Sequence, residues 1–254
     1  MQPHERISDA IRTTNNDGRP ALVPFITAGY PDPATFIDTL RAVASVGDVV
    51  ELGIPFSDPM ADGMTIQRSS FIAIENGVTL SWIFDQLENA GPVDAPLVMM
   101  SYLNPLLAYG YDELARRAAK TGVCGFIVPD LPFEESDEIR EALEAQGLGL
   151  IQLVTPATPK ARLQTLADAS RGFVYAVTIT GITGGDTRLP SDLTDYLNLV
   201  AGISSLPVCA GFGIRTADDV VSVGEHAAGA IVGSALVEVL ERGEDPAEFL
   251  QTLR

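Results

Sequence analysis

The sequence has few of the side chains on which metal centres and nucleophilic relays depend. Its 254 residues include two cysteines and two histidines. Cys124 and Cys209 form no CxxC or Cys/His spacing and lie beside predicted buried strands, so we expect both to be small core residues. His4 and His226 lie apart from the other candidate catalytic residues, which argues against a histidine relay or a histidine-rich metal site. We therefore expect no metal, and proton transfer falls to carboxylates, tyrosines or lysines.

The chain has fewer basic than acidic residues (16 against 34) and no long apolar segment. Its formal net charge of −18 argues against nucleic acid as the main partner, because phosphate backbones bind to basic surfaces. A small phosphorylated ligand stays compatible with that charge, since a few backbone amides can hold one phosphate. No apolar run is long enough to cross a bilayer, and residues 1–16 read as a short amphipathic helix instead of a signal peptide. We expect a cytoplasmic protein without membrane contact.

Eight short apolar runs follow one another along the chain and predict parallel strands. Each run is almost continuously apolar, which is typical of strands covered on both faces. The runs are 22–27, 49–54, 97–102, 125–130, 149–154, 172–177, 206–211 and 229–233. Amphipathic segments with helical spacing separate them, and no Pro/Ser-rich linker divides the chain. The pattern predicts one α/β domain over residues 1–254, a (β/α)₈ TIM barrel with an extra N-terminal helix.

The spacing of the runs is irregular in two places. There is room for an extra helix and a long loop between the second and third runs, and "TITGITGGDTRLPS" (178–191) lies between the sixth and seventh. A doubly wound open sheet is the alternative fold. That fold commonly has a Gly-rich phosphate-binding turn, GxGxxG, after the first strand. The sequence there is "TAGYPDP", which lacks this motif, so the barrel is favoured.

Glu51 is the first candidate for catalysis. Ligands of such barrels bind at the C-terminal ends of the strands, and Glu51 lies near the end of the second run among apolar neighbours. Burial there would raise its pKa from about 4.3 toward neutrality, where a carboxyl group can both give and take protons. The alternative is that Glu51 pairs with an arginine or caps a backbone amide.

Other acids and tyrosines fall at the same end of the predicted barrel. Asp62, in "DPMADG", suits either catalysis or a turn in which Asp bonds its own backbone, and the local pattern favours the turn. Asp58 and Asp130 precede or flank prolines and are interpreted as loop organisers. Tyr102 closes the third run and Tyr175 lies late in the sixth, so both side chains are candidates for the catalytic face.

Glycine patches follow the last three runs and indicate an anion site. They are "GITGG" (181–185), "AGFGI" (210–214) and "GAIVGSALVEVL" (229–240). Gly233 and Ser234 open a short helix directly after the eighth run, so its free amides point toward the barrel mouth. Barrels commonly bind phosphate at this place. The residues together suggest a small phosphate ester that is cleaved or rearranged by carboxylate acid–base catalysis.

Several segments resemble one known family, the tryptophan synthase alpha subunits. They are "LVPFITAGYPD" (22–32), "ELGIPFSDPMADGMTIQ" (51–67), "SYLNPLLAYG" (101–110), "VPDLPFEES" (128–136), "GITGG", "AGFGI" and "AGAIVGSALV" (228–237). The resemblance covers nearly the whole chain in the family's order and implies a (β/α)₈ barrel. It further implies a lyase that cleaves indole-3-glycerol phosphate to indole and glyceraldehyde 3-phosphate by a retro-aldol reaction.

The resemblance assigns roles to individual residues. Glu51 falls on the family's catalytic glutamate, which shuttles protons, and Asp62 on the aspartate that accepts a hydrogen bond from the indole N–H. The remaining matches are positioning residues (Tyr175, Tyr102, Thr183), phosphate-binding residues (Gly184, Gly213, Gly233, Ser234) and indole-pocket residues (Leu22, Met100, Ile127, Phe212). The chain departs from the family pattern at Gly185, Pro129 and Met100, and none of these changes touches Glu51 or Asp62.

The resemblance also implies a partner. In the family a pyridoxal-phosphate (PLP) enzyme, the beta subunit, receives indole through a tunnel in an α₂β₂ assembly, and this chain itself would need no cofactor. Asp58, Pro59 and the mobile loop at 178–190 are the expected places of contact. Two alternatives stay open at this point, a free-standing lyase and a non-catalytic barrel that binds a phosphosugar and regulates a partner.

Overall fold

The computed structural model of the chain describes residues 1–178, 191–211 and 213–254. Within these ranges eight parallel strands pair in sequence order, and the eighth also pairs with the first. The strands are β1 Ala21–Thr27, β2 Val50–Gly53, β3 Leu97–Met100, β4 Val123–Ile127, β5 Gly149–Val154, β6 Val174–Val177, β7 Val208–Gly211 and β8 Gly229–Val232. This closed barrel confirms the predicted (β/α)₈ fold and shows that the open-sheet alternative is wrong.

Helices surround the barrel and also precede it. In the part of the chain that the structure describes they are α1 Pro3–Asn16, α2 Phe36–Ala44, α3 Met64–Glu75, α4 Leu80–Ala90, α5 Leu103–Tyr109, α6 Tyr111–Lys120, α7 Asp137–Ala145, α8 Lys160–Ala169, α9 Ser191–Ile203, α10 Ala217–Gly224, α11 Ser234–Glu241 and α12 Pro246–Gln251. The extra helix expected between the second and third strands is present as α3 or α4, and α11 begins directly after β8. Within the same ranges, no helix has the length and apolar character needed to cross a membrane.

The strands are apolar on both faces because both faces are covered. Ala21, Val23 and Val49 belong to a cluster in the barrel interior, whereas their neighbours Leu22 and Val50 belong to the larger cluster between strands and helices. Alternate residues of one strand therefore serve two different cores. This explains why the sequence shows continuous apolar runs instead of an alternation.

Helix α1 closes the N-terminal end of the barrel. Its residues Ile7 and Ile11 are fully buried and belong to the interior cluster. A Cβ added to Gly172 would lie only 3.0 Å from Cδ1 of Ile7, and the hydroxyl of Ser8 donates a hydrogen bond of 2.6 Å to the carbonyl of Gly172. The cavity that holds the candidate catalytic residues lies at the opposite end, where the strands lead into the helices that follow them.

Two strands, β3 and β4, end two or three residues earlier than their apolar runs. β3 ends at Met100, so Tyr102 is the residue that precedes α5, and β4 ends at Ile127, so Asp130 lies in the following loop. The runs continue past the strands because the loop residues are buried as well, as Ser101 and Tyr102 are. The predicted strands were therefore too long, and Tyr102 and Asp130 lie in the loops where ligands of such barrels bind.

Candidate active site

Glu51 points from β2 into the barrel, where no described residue is hydrogen-bonded to its carboxyl group. It pairs in register with Phe25 of β1 and Val98 of β3 and is only 1% exposed. Burial, and secondly the charge of Asp62, raises the pKa of Glu51 to about 8. The carboxyl group is therefore largely protonated at neutral pH. Within the described residues it neither pairs with an arginine nor caps a backbone amide, the two alternatives that the sequence left open.

Asp62 is held in the loop after β2 by a tyrosine. The Tyr102 hydroxyl donates a hydrogen bond of 3.0 Å to Oδ2 of Asp62 and accepts one of 2.9 Å from the backbone N–H of Ala61. The side chain of Gln67 donates to the Asp62 carbonyl at 2.8 Å. Partial burial raises the pKa of Asp62, while the bond from Tyr102 opposes that rise. The carboxylate thus has a fixed direction, with Oδ1 free of the bond from Tyr102.

The backbone turns at Asp62, but the hydrogen bond of the turn joins backbone atoms, whereas the local sequence favours a bond from the Asp62 side chain to its own backbone. The backbone N–H of Asp62 donates to the carbonyl of Pro59 at 3.1 Å. The ring of Tyr102 stacks on Phe56, with centroids 5.1 Å apart, and Leu103 donates its N–H to Asp130 at 2.9 Å. Asp130 therefore organises the loop, as its sequence context predicts, and Asp62 combines a turn backbone with a side chain aimed at the cavity.

Tyr175 lies on β6 across the cavity from Asp62's loop and packs on β7. A Cβ added to Gly211 would lie 2.7 Å from the Tyr175 hydroxyl oxygen, so only glycine leaves room for the ring. Burial, then the charges of Glu51 and Asp62, raises the pKa of Tyr175 well above its ordinary value. Tyr175 is consequently a neutral hydroxyl group close to both carboxyl groups.

One cavity of about 420 Å³ contains these groups and the predicted phosphate end. Its apolar wall includes Phe25, Ile66, Met100, Ile214 and Ile231. Gly213, Gly233 and Ser234 lie in the same wall, and Gly233 precedes α11 without any side-chain cap. The first amides of that helix have no intrahelical acceptor and are available to an anion. The cavity is thus acidic at one end, apolar in its walls and lined by glycine and helix amides at the other end.

Three predicted residues lie outside the described residues. They are Thr183, Gly184 and Phe212. Of the predicted pocket residues that the structure describes, Met100 lies in the cavity wall.

One pocket prediction is wrong. Leu22 faces outward into the cluster between strands and helices, because it alternates with the inward-facing Ala21 and Val23, and Phe25 lies in the wall instead. Ile127 faces inward in the interior cluster, against which the cavity residues Met100 and Tyr175 pack, and its contact with a ligand stays a prediction.

The loop that the sequence assigned to a partner interface is at the surface. Asp58 is exposed and accepts a hydrogen bond of 2.6 Å from the hydroxyl of Ser57. Pro59 is half-buried, and the neighbouring Met60 is 87% exposed. These residues are accessible to a partner.

Sequence reasoning missed one charged pair in the cavity, Arg215 and Glu238. Arg215 donates two hydrogen bonds, of 2.8 and 3.0 Å, to the carboxylate of Glu238, and both residues line the phosphate end. The signal was available in "GFGIRT", where an arginine follows Gly213 by two residues. Glu238 could not be recognised as a cavity residue from the sequence, because it reaches the cavity only through its position one helical turn after Ser234 in α11.

A second cavity, of about 490 Å³, lies at the barrel's N-terminal end beneath α1. Several of its polar side chains are used in backbone hydrogen bonds: His4 contacts the carbonyl of Gly147, and Arg12 donates to that of Ser205. Residues 1–178, 191–211 and 213–254 contain no group of three or more potential metal ligands at either end. The carboxylate cavity is the better candidate for an active site.

The fold and this cavity define a (β/α)₈-barrel enzyme whose cavity combines a buried and a half-buried carboxyl group with glycines and the N-terminal end of a helix. Comparisons with known proteins make the class specific. The family model described as "Tryptophan synthase alpha chain" matches residues 11–253, and the chain belongs to this family of lyase subunits of tryptophan biosynthesis.

Individual relatives cover nearly the whole chain. The tryptophan synthase alpha chain of Solidesulfovibrio magneticus is 44% identical over 93% of each protein, and that of Roseiflexus castenholzii is 44% identical over 98% of this chain and 99% of its own. A structure of Mycobacterium tuberculosis tryptophan synthase matches with a TM-score of 0.89 at 34% identity, covering 98% of this chain and 96% of that one. A mutant tryptophan synthase alpha subunit from Pyrococcus furiosus matches with a TM-score of 0.84 at 36% identity, covering 92% and 98%.

Proposed function

We propose that this chain cleaves indole-3-glycerol phosphate to indole and glyceraldehyde 3-phosphate. The observation that carries the proposal is the buried carboxyl group of Glu51, which has no hydrogen-bond partner among the described residues and shares one cavity with Asp62 and the N-terminal end of α11. Burial of such a group costs folding free energy, which favours a functional reason for its presence. A pKa of about 8 suits both donation and acceptance of a proton at neutral pH.

The first proton transfer places a proton on the ring. Glu51 donates its proton to C3 of the indole, which makes the ring an acceptor for the electron pair of the bond between C3 and the glycerol side chain. Positive charge develops on the ring, and its N–H donates a hydrogen bond to Asp62. Because Tyr102 fixes the direction of that carboxylate before substrate arrives, its charge stabilises the transition state without reorganisation.

The second proton transfer completes the cleavage. When the C–C bond breaks, the electron pair returns to the ring and gives neutral indole. The side-chain carbon that carried the hydroxyl group becomes the aldehyde carbon, and its hydroxyl proton passes to the carboxylate of Glu51. Glu51 is thereby protonated again, so the residue begins and ends the cycle in the same state.

The rest of the cavity suits the two ends of this substrate. Phe25, Met100 and Ile231 supply apolar surface for the indole ring. Gly213, Gly233 and Ser234 supply backbone at the place where the phosphate would lie, and the N-terminal end of α11 favours its negative charge. The distribution of apolar and anion-binding surface in the cavity therefore matches the two ends of indole-3-glycerol phosphate.

Indole release from indole-3-glycerol phosphate by the purified chain tests this proposal. We expect turnover by the wild type and a loss of several orders of magnitude in Glu51→Gln, with inorganic phosphate binding preserved. An inactive wild type that also fails to bind the substrate would refute the proposed reaction.

We further propose that the chain works in the cytoplasm with a PLP-dependent beta subunit in an α₂β₂ assembly, to which it passes indole. The family membership and the exposed loop at Asp58, Pro59 and Met60 support this partnership. Size-exclusion chromatography with and without a beta subunit tests it. Co-elution with activation of indole release supports the assembly, whereas separate elution with unchanged activity supports a free-standing lyase.

A further inference from the structure

The phosphate end of the cavity contains a positively charged side chain, Arg215, in addition to the backbone amides expected to bind a phosphate. Arg215 follows Gly213 in the loop after β7 and lines the cavity there. Among the described residues that line this cavity, Arg215 is the one basic side chain. The acidic side chains of the same wall are Glu51, Asp62 and Glu238.

The guanidinium of Arg215 is held in place but keeps hydrogen-bond donors to spare. Nη1 and Nη2 donate to the two carboxylate oxygens of Glu238 at 2.8 and 3.0 Å. An arginine has five N–H donors, so this bidentate pair leaves Nε–H and two outer N–H groups unused by Glu238. The backbone is fixed as well, because the N–H of Arg215 donates to Oδ2 of Asp219 at 2.9 Å. About half of the side chain is exposed, which leaves the guanidinium accessible from the cavity mouth.

Glu238 would be a poor neighbour for a phosphate without this arginine. It lies on α11 four residues after Ser234, so both side chains fall on the same face of the helix. Hydrogen bonds and charge from Arg215 lower the pKa of Glu238, which is therefore ionised at neutral pH. A carboxylate one helical turn from the expected phosphate repels it, and the pair with Arg215 offsets that repulsion and supplies N–H donors.

We infer that Arg215 is a phosphate-binding residue. Glu238 holds its guanidinium at the cavity mouth, and the remaining N–H groups of Arg215 donate to the phosphate dianion of the substrate. The inference rests on the proposed function, which places a phosphate ester in this cavity. It adds a formal positive charge to a site that the sequence motifs had described as backbone amides only. Glu238 is a positioning residue in this arrangement.

Kinetics and direct binding of Arg215→Gln test the inference. We expect the KM for indole-3-glycerol phosphate and the Kd for inorganic phosphate, measured by calorimetry, to rise about tenfold, the worth of one charge-assisted contact at a half-exposed site. We expect kcat to change less than twofold, because the reacting bond is at the other end of the substrate. Arg116→Gln is the matched control, since Arg116 forms an exposed bidentate pair with Glu113 on α6. Unchanged KM and Kd in Arg215→Gln would overturn the inference.

Glu238→Gln separates phosphate binding from a merely structural tie between the loop and α11. Both substitutions weaken the Arg215–Glu238 pair, so a merely structural role predicts that both raise KM. Phosphate binding predicts opposite signs. In Glu238→Gln the amide oxygen still accepts one hydrogen bond from Arg215, so the arginine stays in place while a repelling charge is removed, and KM should fall about twofold to threefold. A rise in KM in both variants would overturn the inference.

The two proposals fail in distinguishable ways. If the wild type binds phosphate through Arg215 but releases no indole, the reaction is wrong and the phosphate contact stands. If the wild type releases indole and Arg215→Gln matches it in KM and Kd, the reaction stands and the role of Arg215 is wrong.

Discussion

The hydroxyl group of Tyr175 occupies the space that a side chain at Gly211 would need. A Cβ on Gly211 would lie 2.7 Å from that oxygen and 3.1 Å from Cε1 of the ring. The two residues belong to the neighbouring strands β6 and β7, and both line the cavity with Glu51. The glycine therefore sets the position of the tyrosine of β6 relative to Glu51, the proposed catalytic group.

Gly211→Ala should push Tyr175 toward Glu51 and impair catalysis more than folding. A displacement of about 1 Å in an active site commonly costs up to ~100-fold in rate, so we expect kcat to fall about tenfold to 100-fold. Steady-state indole release measures the effect. Gly202→Ala is the control, since a Cβ at Gly202 meets nothing within 4 Å. Wild-type kcat in Gly211→Ala would show that the position of Tyr175 has no part in catalysis.

Tyr102→Phe should loosen Asp62 without emptying the cavity. It removes the hydrogen bond that holds the pKa of Asp62 down against burial, so that pKa should rise. We expect kcat to fall about tenfold, the worth of one hydrogen bond to a charged group, and its acidic limb to move to higher pH. The pH profile of kcat measures both.

Tyr109→Phe makes the same chemical change outside the cavity, where the Tyr109 hydroxyl accepts a bond from Arg117. Equal pH profiles for the wild type and Tyr102→Phe would argue against the positioning role of Tyr102.

The raised pKa of Glu51 predicts that folding stability falls as pH rises. The folded state keeps the proton up to a pKa of about 8, whereas the unfolded carboxyl releases it near the ordinary pKa of 4.5. The folded state therefore binds more protons between these values, and stability is fully present below about pH 4.5 and decreases toward pH 8. The loss is on the order of 4 kcal/mol.

Urea denaturation of the wild type and Glu51→Gln from pH 5 to 8.5 measures this dependence. Glutamine does not titrate, so the free energy of unfolding of Glu51→Gln should increase steadily relative to that of the wild type as pH rises. Parallel curves for the two proteins would mean that Glu51 has an ordinary pKa.

Asp48 connects three parts of the barrel's N-terminal end and should matter for stability alone. Its carboxylate accepts hydrogen bonds of 2.7 Å from Thr14 and from the N–H of Leu22, and it forms an ion pair of 3.0 Å with Arg254. Asp48→Ala leaves these donors unpaired and should cost about 3 kcal/mol of unfolding free energy. Asp17→Ala, at an exposed pair of 3.7 Å, should cost less than about 0.5 kcal/mol. Equal costs in urea denaturation would contradict the account.

Most of the fold could be predicted from the sequence because one physical pattern repeats along it. Strands covered on both faces give continuous apolar runs, and the barrel's interior and outer clusters use alternate residues of each strand. The strand ends were less accurate, because buried loop residues such as Ser101 and Tyr102 continue the apolar pattern. Hydrophobicity reports burial and does not report hydrogen bonding between strands.

The site could be predicted in part, for a related reason. Glu51 is detectable because a carboxylate within an apolar run is unusual. In contrast, neighbouring residues in the sequence do not show whether an apolar side chain faces the cavity or the surrounding helices. Leu22 was assigned to the cavity although it faces the helices, and Phe25, three residues later, lies in the wall. The pair of Arg215 and Glu238 joins elements 23 residues apart, which no local motif reveals.

Indole release by Glu51→Gln tests the central claim most directly, that the buried carboxyl group of Glu51 moves the proton. Glutamine keeps the shape of the side chain and removes its titrating proton. We expect kcat to fall by about four orders of magnitude, in line with the loss of an acid–base group, while the Kd for inorganic phosphate stays at the wild-type value. Turnover within tenfold of the wild type would contradict the account.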